Sequence, residues 1–259
     1  MKKLVIALAA AATFSAPALA ADMAAKAPMR AAPVAYAPSW TGCYIAGGGG
    51  FGMWNQESTQ LAAGPPVTVV AGTQTNGGRG YFGTVGGGCD YQFGLGGWNM
   101  LVGAFGDYDF SDINGRFSQQ IGNLTGDEKL SSSWSVGGRI GWVVTPNFMV
   151  YFSGGYTEAK FDQINLRALG GPVTDFIPST TYKGWFLGAG DEYALNFLPG
   201  LFWKTEYRFS DFDAQRLVSR SIATGLPNGD LFDTHKYVHT VRSELVYRFN
   251  WGGPVVAKY

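Results

Sequence analysis

The chain lacks an excess of either charge, has few cysteines and, beyond its first residues, contains no long apolar run. Its 19 Lys and Arg balance its 19 Asp and Glu, so the composition gives no indication of a nucleic-acid partner. No later stretch approaches the roughly 18 unbroken apolar residues that a membrane-spanning helix needs. If the protein is integral to a membrane, it must therefore cross it with strands.

The N-terminal segment has the pattern of a cleavable export signal. Two lysines precede an apolar run over residues 4–14, and the small residues Ala18-Leu19-Ala20 form a cleavage site. A membrane anchor is the alternative, but the run is too short to span and Pro17 interrupts it. We predict a signal peptide over residues 1–20, which places the mature chain in the envelope or outside the cell.

The mature chain opens with a segment rich in alanine and proline, residues 21–39. Such a composition forms neither a helix nor a paired strand, so we predict a semi-extended periplasmic tether. The pattern of the main domain begins near Trp40. We assign residues 40–251 to one domain and residues 252–259, which open with Gly-Gly-Pro, to a C-terminal tail.

Apolar and polar residues alternate along the segments of the main domain. Side chains of a strand point to opposite faces in turn, and the last segment shows the pattern best. One of its faces carries Tyr237, Val241, Leu245, Tyr247 and Phe249, and the other carries Lys236, Thr240, Arg242, Glu244 and Arg248. Recurrence of this pattern behind an export signal favours strands with lipid outside and a polar lumen inside.

Eight such segments occur, and the connections between them alternate between long and short. The segments are residues 40–54, 80–93, 98–110, 130–143, 148–160, 181–195, 201–209 and 235–251. This alternation is the layout of an outer-membrane barrel, whereas a soluble β-sandwich has no reason to keep it. We predict an all-β fold: an eight-stranded antiparallel transmembrane β-barrel with long extracellular loops, short periplasmic turns and both termini in the periplasm.

The polar face predicts a lumen filled by paired charges. Its members are Asp107, Asp109, Glu192, Glu206 and Glu244 with Arg139, Lys204, Arg208, Arg242 and Arg248. An eight-stranded barrel is only wide enough for its own side chains, and unpaired buried charge is costly. A packed ion-pair network argues against an open pore, and a narrow porin-like channel is the alternative. Asp191 falls on the predicted lipid face, which the interpretation does not explain.

Other motifs give little support for a nucleotide cofactor, a metal site or an enzyme activity. Two Gly-x-Gly-x-x-Gly matches, at residues 47–52 and 78–83, lie in strands and open no helix, so we predict no nucleotide cofactor. His235 and His239 share a strand face without a third ligand, which disfavours a metal site. An outer-membrane hydrolase or acyltransferase would need His235 with Ser210 or Ser221 and one of Asp211, Asp213 or Asp233. No nucleophile motif frames these residues, so we predict no enzyme activity.

The only two cysteines, Cys43 and Cys89, lie in the first two strand candidates. The periplasm is oxidising, and an antiparallel hairpin would bring both residues to its periplasmic end on one face. We predict a disulfide between them. The alternative is two separate thiols, which a slip of one residue in the strand register would produce.

Several short motifs, in their order and spacing, resemble those of a known family. They are Trp40-Thr41-Gly42-x-Tyr44, the Gly-rich first strand, residues 103–109, Gly138-Arg139-Ile140-Gly141, residues 188–193 and the closing Tyr247-Arg248-Phe249. Over residues 40–251 the chain resembles the small outer-membrane immunogenic proteins of alphaproteobacteria, a group of the opacity-protein superfamily. The resemblance implies a surface-exposed barrel with a role in envelope integrity. Asp191 and the tail depart from the pattern.

The resemblance also implies partners. Outer-membrane lipid and lipopolysaccharide would surround the barrel, and the barrel-assembly machinery would read a terminal-strand signal. We assign that signal to Val241, Leu245, Tyr247 and Phe249, with Tyr259 as the alternative end. In relatives an Ala-Asp start is joined to peptidoglycan through its amino group, so Ala21 is the implied attachment residue and Asp22 a recognition residue. The oligomeric state stays open.

Overall fold

The computed structural model describes residues 38–118, 121–168 and 170–249. These residues form strands joined by turns. The strands are β1 (Gly42–Ala62), β2 (Thr68–Leu95), β3 (Trp98–Ser118), β4 (Leu124–Thr145), β5 (Phe148–Phe161), β6 (Ile164–Ala168), β7 (Val173–Ile177), β8 (Thr180–Ala194), β9 (Leu201–Ser221) and β10 (Pro227–Phe249). No helix in the described part of the chain is long and apolar enough to span a membrane.

Eight of these strands close into an antiparallel ring. Neighbours in sequence pair from β1 to β5, then β5 pairs with β8, β8 with β9 and β9 with β10. The ring closes where β10 pairs with β1, with Gly47 opposite Leu245. The predicted eight-stranded antiparallel β-barrel is confirmed.

The two ends of the barrel differ. At one end short turns join β2 to β3, β4 to β5 and β8 to β9, and we call this the turn end. Gly96 and Gly97 make the first of these turns with φ values of 58° and 84°, a conformation that suits the twist of a hairpin and that glycine adopts without strain. The segments that the sequence analysis predicted as long loops lie at the other end, which we call the hairpin end.

At the hairpin end β6 and β7 form an additional hairpin that the sequence patterns did not predict. It continues the wall where β5 and β8 stop, because β6 pairs with β4 and β7 pairs with β9. Thr125 lies opposite Arg167 on one side, and Phe176 lies opposite Arg220 on the other. The wall therefore keeps eight strands up to its outer part.

The predicted strand ends were wrong at the hairpin end, where most of the supposed loops are strand. The first strand runs to Ala62 instead of residue 54, β2 begins at Thr68 instead of residue 80, and β9 runs to Ser221 instead of residue 209. The physical reason is that the polar and apolar faces of the strands exchange sides beyond the lipid. In this outer part the outward face carries polar residues and the inward face carries apolar ones such as Ile113 and Phe117.

The pattern of exposed aromatic residues marks the part of the wall that lies in lipid. The girdle near the turn end consists of Tyr91, Trp98, Trp142, Tyr193, Trp203 and Tyr247. The girdle toward the hairpin end consists of Tyr81, Tyr108, Trp134, Tyr156, Trp185 and Tyr207. Mainly aliphatic side chains, with Phe152 among them, fill the band between them, as in outer-membrane barrels with an apolar band about 25 Å tall. Asp191 faces outward, between Val150 and Thr205, and no feature of the fold explains it.

Candidate functional site: a closed lumen

The inward face of the barrel holds all ten residues of the predicted charge network. Nine are buried as whole residues, and the side chain of Asp107 is only 6% exposed. They face one another because each sits at the inward position of its strand. The charges fall into layers along the barrel axis.

The layer nearest the turn end is a buried four-membered cluster. Arg139 donates from Nε to Asp90 Oδ1 at 2.9 Å and from Nη1 to Glu192 Oε2 at 3.1 Å. Arg248 donates from Nη1 to Asp90 Oδ2 at 2.6 Å and from Nε to Glu192 Oε1 at 3.1 Å. Two guanidinium groups thus meet two carboxylates, and the layer has no net charge.

Asp90 in this layer was not among the predicted network residues. The residue before it, Cys89, faces outward, so strand parity puts Asp90 inward. Strand parity is the only signal for Asp90, because the glycine-rich stretch before it gives neither face a distinct polarity. Gly103, opposite Asp90 on β3, leaves the space that the carboxylate occupies.

Trp40 closes the lumen beneath this layer. It was predicted to begin the first strand, but it precedes β1 and is 1% exposed. Its Nε1 donates to the carbonyl of Pro146 at 3.2 Å, and its ring centroid lies 4.8 Å from that of Phe202. Its own carbonyl accepts a hydrogen bond from Arg248. The mouth at the turn end is thus filled by an aromatic side chain held at two points.

The middle layers contain the remaining ion pairs. Lys204 Nζ lies 2.9 Å from Glu244 Oε2. Arg208 Nη2 lies 3.0 Å from Asp107 Oδ2, and Arg242 Nη2 lies 3.1 Å from Asp109 Oδ2.

Additional groups complete these middle layers. Glu206 accepts from Arg208 and, at 2.7 Å, from the hydroxyl of Tyr151. The Arg208 guanidinium also lies 4.3 Å from the ring centroid of Phe186, a favourable cation–π distance. The middle of the lumen is therefore filled by paired charges and by rings packed against them.

Beyond these layers, toward the hairpin end, the lumen becomes apolar around one more ion pair. Lys236 Nζ lies 2.5 Å from Glu128 Oε1 and also donates to Gln56. Its ammonium stands 4.1 Å from the Phe161 ring centroid and 4.8 Å from that of Trp54. Glu128 is absent from the predicted network because the fourth predicted strand begins only at residue 130. This apolar cluster seals the second end.

The space left between the layers is small. The cavity bordered by Asp109, Thr240 and Arg242 has a volume of about 20 Å³. A site needs roughly 10–15 Å³ to hold one water molecule. The described lumen therefore offers no solute-sized space at this level.

Cys43 and Cys89 lie directly opposite each other in the β1–β2 register and are joined as a disulfide. The bond lies on the outward face near the turn end. The segment between the two cysteines includes most of the first long hairpin. The structure thus places the two sulfur atoms as the sequence analysis predicted.

The structure does not assemble the catalytic residues considered for an enzyme. His235 Nε2 lies 2.8 Å from Asp211 Oδ1, but Ser210 faces the lumen, on the opposite side of β9. Ser221 pairs with Asp175 near the tip of the hairpin end, and Asp233 is bound by Arg216. Within the described ranges no three His, Cys, Asp or Glu side chains are grouped to hold a metal ion.

The residues assigned to the assembly signal lie together on the outward face of β10. Val241, Leu245, Tyr247 and Phe249 are 40–53% exposed, in the part of the wall that faces lipid. Ala21 and Asp22, together with the predicted signal peptide, most of the tether and the tail, lie outside the described residues.

Comparison with known proteins places the chain in a family. No protein-family profile matches it. It is 31% identical, over 262 residues, to the 31 kDa outer-membrane immunogenic protein of Brucella melitensis biotype 1, covering 95% of this chain and 100% of the relative. The same values hold for the protein of that name from Brucella suis biovar 1.

A solved structure shows the same fold. The barrel resembles the outer-membrane protein OprG of Pseudomonas aeruginosa with a TM-score of 0.55 and 14% identity, covering 83% of this chain and 100% of that one. The barrel, its lipid-facing band and the full-length similarity agree with the resemblance seen in the sequence. The chain belongs to the family of the 31 kDa outer-membrane immunogenic proteins.

Proposed function

We propose that this outer-membrane surface protein is a structural, non-enzymatic barrel that contributes to envelope integrity and conducts no solute. The closed lumen carries the proposal. Its six cations and seven carboxylates contact one another in buried clusters, Trp40 fills one end and the apolar cluster around Lys236 fills the other. Replacing such a network with water would require breaking several buried pairs, each of which is costly to separate.

A narrow porin-like channel is the competing function, and a planar-bilayer recording separates the two. We expect no conductance steps from the purified, folded barrel under conditions in which a general porin, used as the positive control, conducts. Reproducible single-channel steps that depend on the amount of folded protein would overturn the structural assignment.

We further propose an orientation with the turn end in the periplasm and the hairpin end outside the cell. Short periplasmic turns and longer external connections are usual for outer-membrane barrels. In this orientation the chain enters β1 from the periplasm, so residues 21–39 could extend by about 3 Å per residue toward the cell wall. An export signal over residues 1–20 would deliver the chain to that compartment.

The tether leads to a proposed amide between the Ala21 amino group and a carbonyl carbon of a peptidoglycan stem peptide, with Asp22 as a recognition residue. A transpeptidase would form it by breaking an existing amide of the stem peptide and releasing that amine. Mass spectrometry of muramidase-digested envelopes tests it. We expect N-terminal peptides that carry a peptidoglycan fragment on Ala21. A Lys26→Arg variant, which removes the competing amine, should keep the link. An unmodified Ala21 in every recovered N-terminal peptide would rule the attachment out.

A further inference from the structure

A group of cations lies on the outward face just beyond the aromatic girdle of the hairpin end. We call Arg79, Arg116, Lys129 and Arg167 the basic patch. Arg79 is two residues from the girdle residue Tyr81, and the register places Arg79, Asn114 and Lys129 side by side on β2, β3 and β4. Arg116 lies one outward position further along β3, and Arg167 extends the patch onto β6.

The basic patch is incompletely neutralised. Three carboxylates accompany its four cations. Asp112 lies 2.7 Å from Lys129 Nζ, Asp127 lies 3.3 Å from Arg167 Nη2 and opposite Arg116 in the register, and Asp162 is close enough to Lys129 to act on it electrostatically. Within the described residues neither Arg79 nor Arg116 has a carboxylate within salt-bridge distance, although both are exposed. The patch therefore carries net positive charge and two guanidinium groups free to bind another anion.

The charge of the outward positions differs on the other side of the wall at this depth. The outward positions of β9, β10 and β1 carry four carboxylates, and His235 lies among them. These carboxylates are Glu57, Asp211, Asp213 and Asp233. Cations also lie on outward positions of β5, β8 and β9, namely Lys160, Lys183, Arg216 and Arg220. The side formed by β9, β10 and β1 nevertheless has more carboxylates than cations, whereas the basic patch has more cations than carboxylates.

A cleft adjoins the basic patch. It has a volume of about 390 Å³ and is lined by Arg116, Asp127 and Arg167 together with Thr125, Ala168 and three glycines. Small residues there leave the space open, and both arginines border it. The cleft is large enough to accept an anionic group of a sugar or headgroup.

We propose that the basic patch binds the phosphate groups of the lipopolysaccharide that surrounds the barrel. This inference rests on the proposed orientation, because that lipid occupies the outer leaflet. The girdle fixes the depth of the lipid boundary, and Arg79 lies on the order of 7 Å along the strand beyond it. Arginine binds phosphate oxygens with two parallel hydrogen bonds. A membrane lipid is favoured over a soluble anion because the patch faces sideways, next to the lipid.

The test uses the full-length mature protein reconstituted in phosphatidylcholine vesicles that contain diphosphorylated lipid A. The lipid A retained per barrel after gentle detergent extraction is measured by native mass spectrometry. We expect the Arg79→Gln/Arg116→Gln variant to retain about tenfold less lipid A than the unmodified protein. A matched Lys160→Gln/Lys183→Gln variant, which removes two outward cations from β5 and β8, should stay within about twofold.

Two further measurements, with dephosphorylated lipid A and with inorganic phosphate, identify the ligand. Vesicles with dephosphorylated lipid A should reduce retention by the unmodified protein to the level of the arginine variant. Equal retention by the arginine variant and the lysine control would overturn the proposal. So would inorganic phosphate binding at the patch without any change in lipid A retention, since the site would then serve a soluble anion.

Controls separate this proposal from the others. Heat-modifiable migration on gels must show that both variants are folded. Because the vesicles expose lipid A to both ends of the barrel, a wrong orientation would not by itself abolish binding. Accessibility of a tag placed at a hairpin tip on intact cells tests the orientation independently.

Discussion

Asp90 shows how single residues keep the lumen closed. It accepts three hydrogen bonds, two from Arg139 and one from Arg248. A buried pair of this kind is weak evidence for stability as a whole, but removing one partner leaves the others charged and buried.

We therefore expect Asp90→Asn to destabilise the folded barrel by about 3–5 kcal/mol, because two guanidinium groups would share one remaining carboxylate. Equilibrium urea unfolding in lipid vesicles measures the change. The matched control is Asp112→Asn, whose exposed pair with Lys129 should contribute little to stability. Equal effects from both variants would contradict the role given to Asp90.

The exposed pair between Arg216 and Asp233 outside the lipid band predicts a titration. A hydrogen bond from Arg216 holds the pKa of the Asp233 carboxyl below its ordinary value of 3.8. Whatever the pair contributes to stability is thus present above the ordinary pKa and lost as the pH falls through the lowered one. Carboxyl-carbon NMR should show a midpoint below 3.8, and Arg216→Gln should raise it. An unchanged midpoint in that variant would show that the pair does not form in solution.

The sequence predicted the inward orientation of a charged residue where the apolar and polar residues around it alternate clearly. All ten predicted lumenal charges face inward, because each lies within a segment whose opposite face is apolar. Asp90 and Glu128 were missed for different reasons. Asp90 lies in a glycine-rich stretch where neither face stands out, and Glu128 lies where the hydrophobic pattern has already reversed.

Whole strands were predicted well only where they cross lipid. The alternation of side chains continues through the aromatic girdle, but the medium on the outer side changes from lipid to water and the apolar face turns inward. A strand prediction that requires an apolar outward face therefore ends each strand at the girdle. The hairpin of β6 and β7 was missed for the same reason, since its wall position depends on partners in β4 and β9 that are distant in sequence.

Because β2 packs closely against β1, adding a single methyl group at Gly78 should lower the stability of the barrel. A Cβ at Gly78 would lie 2.5 Å from Nε1 of Trp54 and 2.7 Å from the carbonyl oxygen of Asn114. We expect Gly78→Ala to destabilise the barrel by about 1–3 kcal/mol through overpacking. Gly72→Ala is the matched control on the same strand, with no atom within 4 Å of its Cβ. Urea unfolding of both variants checks this, and equal stabilities would contradict the contact.

The β1–β2 hairpin also carries the disulfide between Cys43 and Cys89, which are 46 positions apart. Constraining that length of unfolded chain should stabilise the barrel by about 2–4 kcal/mol. Thiol labelling of unfolded, unreduced protein should find no free thiol, and the Cys43→Ser/Cys89→Ser variant should unfold at lower urea. Two labelled thiols per chain would refute the bond.

The whole molecule predicts an unusual pattern of proteolysis. Every Lys and Arg among the described residues lies in a strand, whereas the described hairpin tips contain neither. In the proposed orientation, trypsin added to intact cells should leave the chain whole, since paired backbone does not enter a protease site. Proteinase K, which needs no basic residue, should cut at the tips.

The products can be mapped by mass spectrometry of outer-membrane fractions. Tryptic fragments ending at Arg79, Lys129 or Arg216 from intact cells would show that the outer wall opens in the membrane. The Brucella relatives offer a direct comparison for the same experiment, because the chain matches them over their full length.

In the proposed orientation, the continuation of the strand pairing beyond the lipid also determines what an antibody or a phage receptor-binding protein can recognise. On that wall, adjacent exposed side chains belong to different strands, as Arg79, Asn114 and Lys129 do. A protein that binds this wall must therefore contact residues that are far apart in sequence and that only the folded strand register brings together. Synthetic peptides copied from one stretch of the chain can reproduce the hairpin tips but not this wall, so immunity directed at the wall requires the folded protein as the antigen.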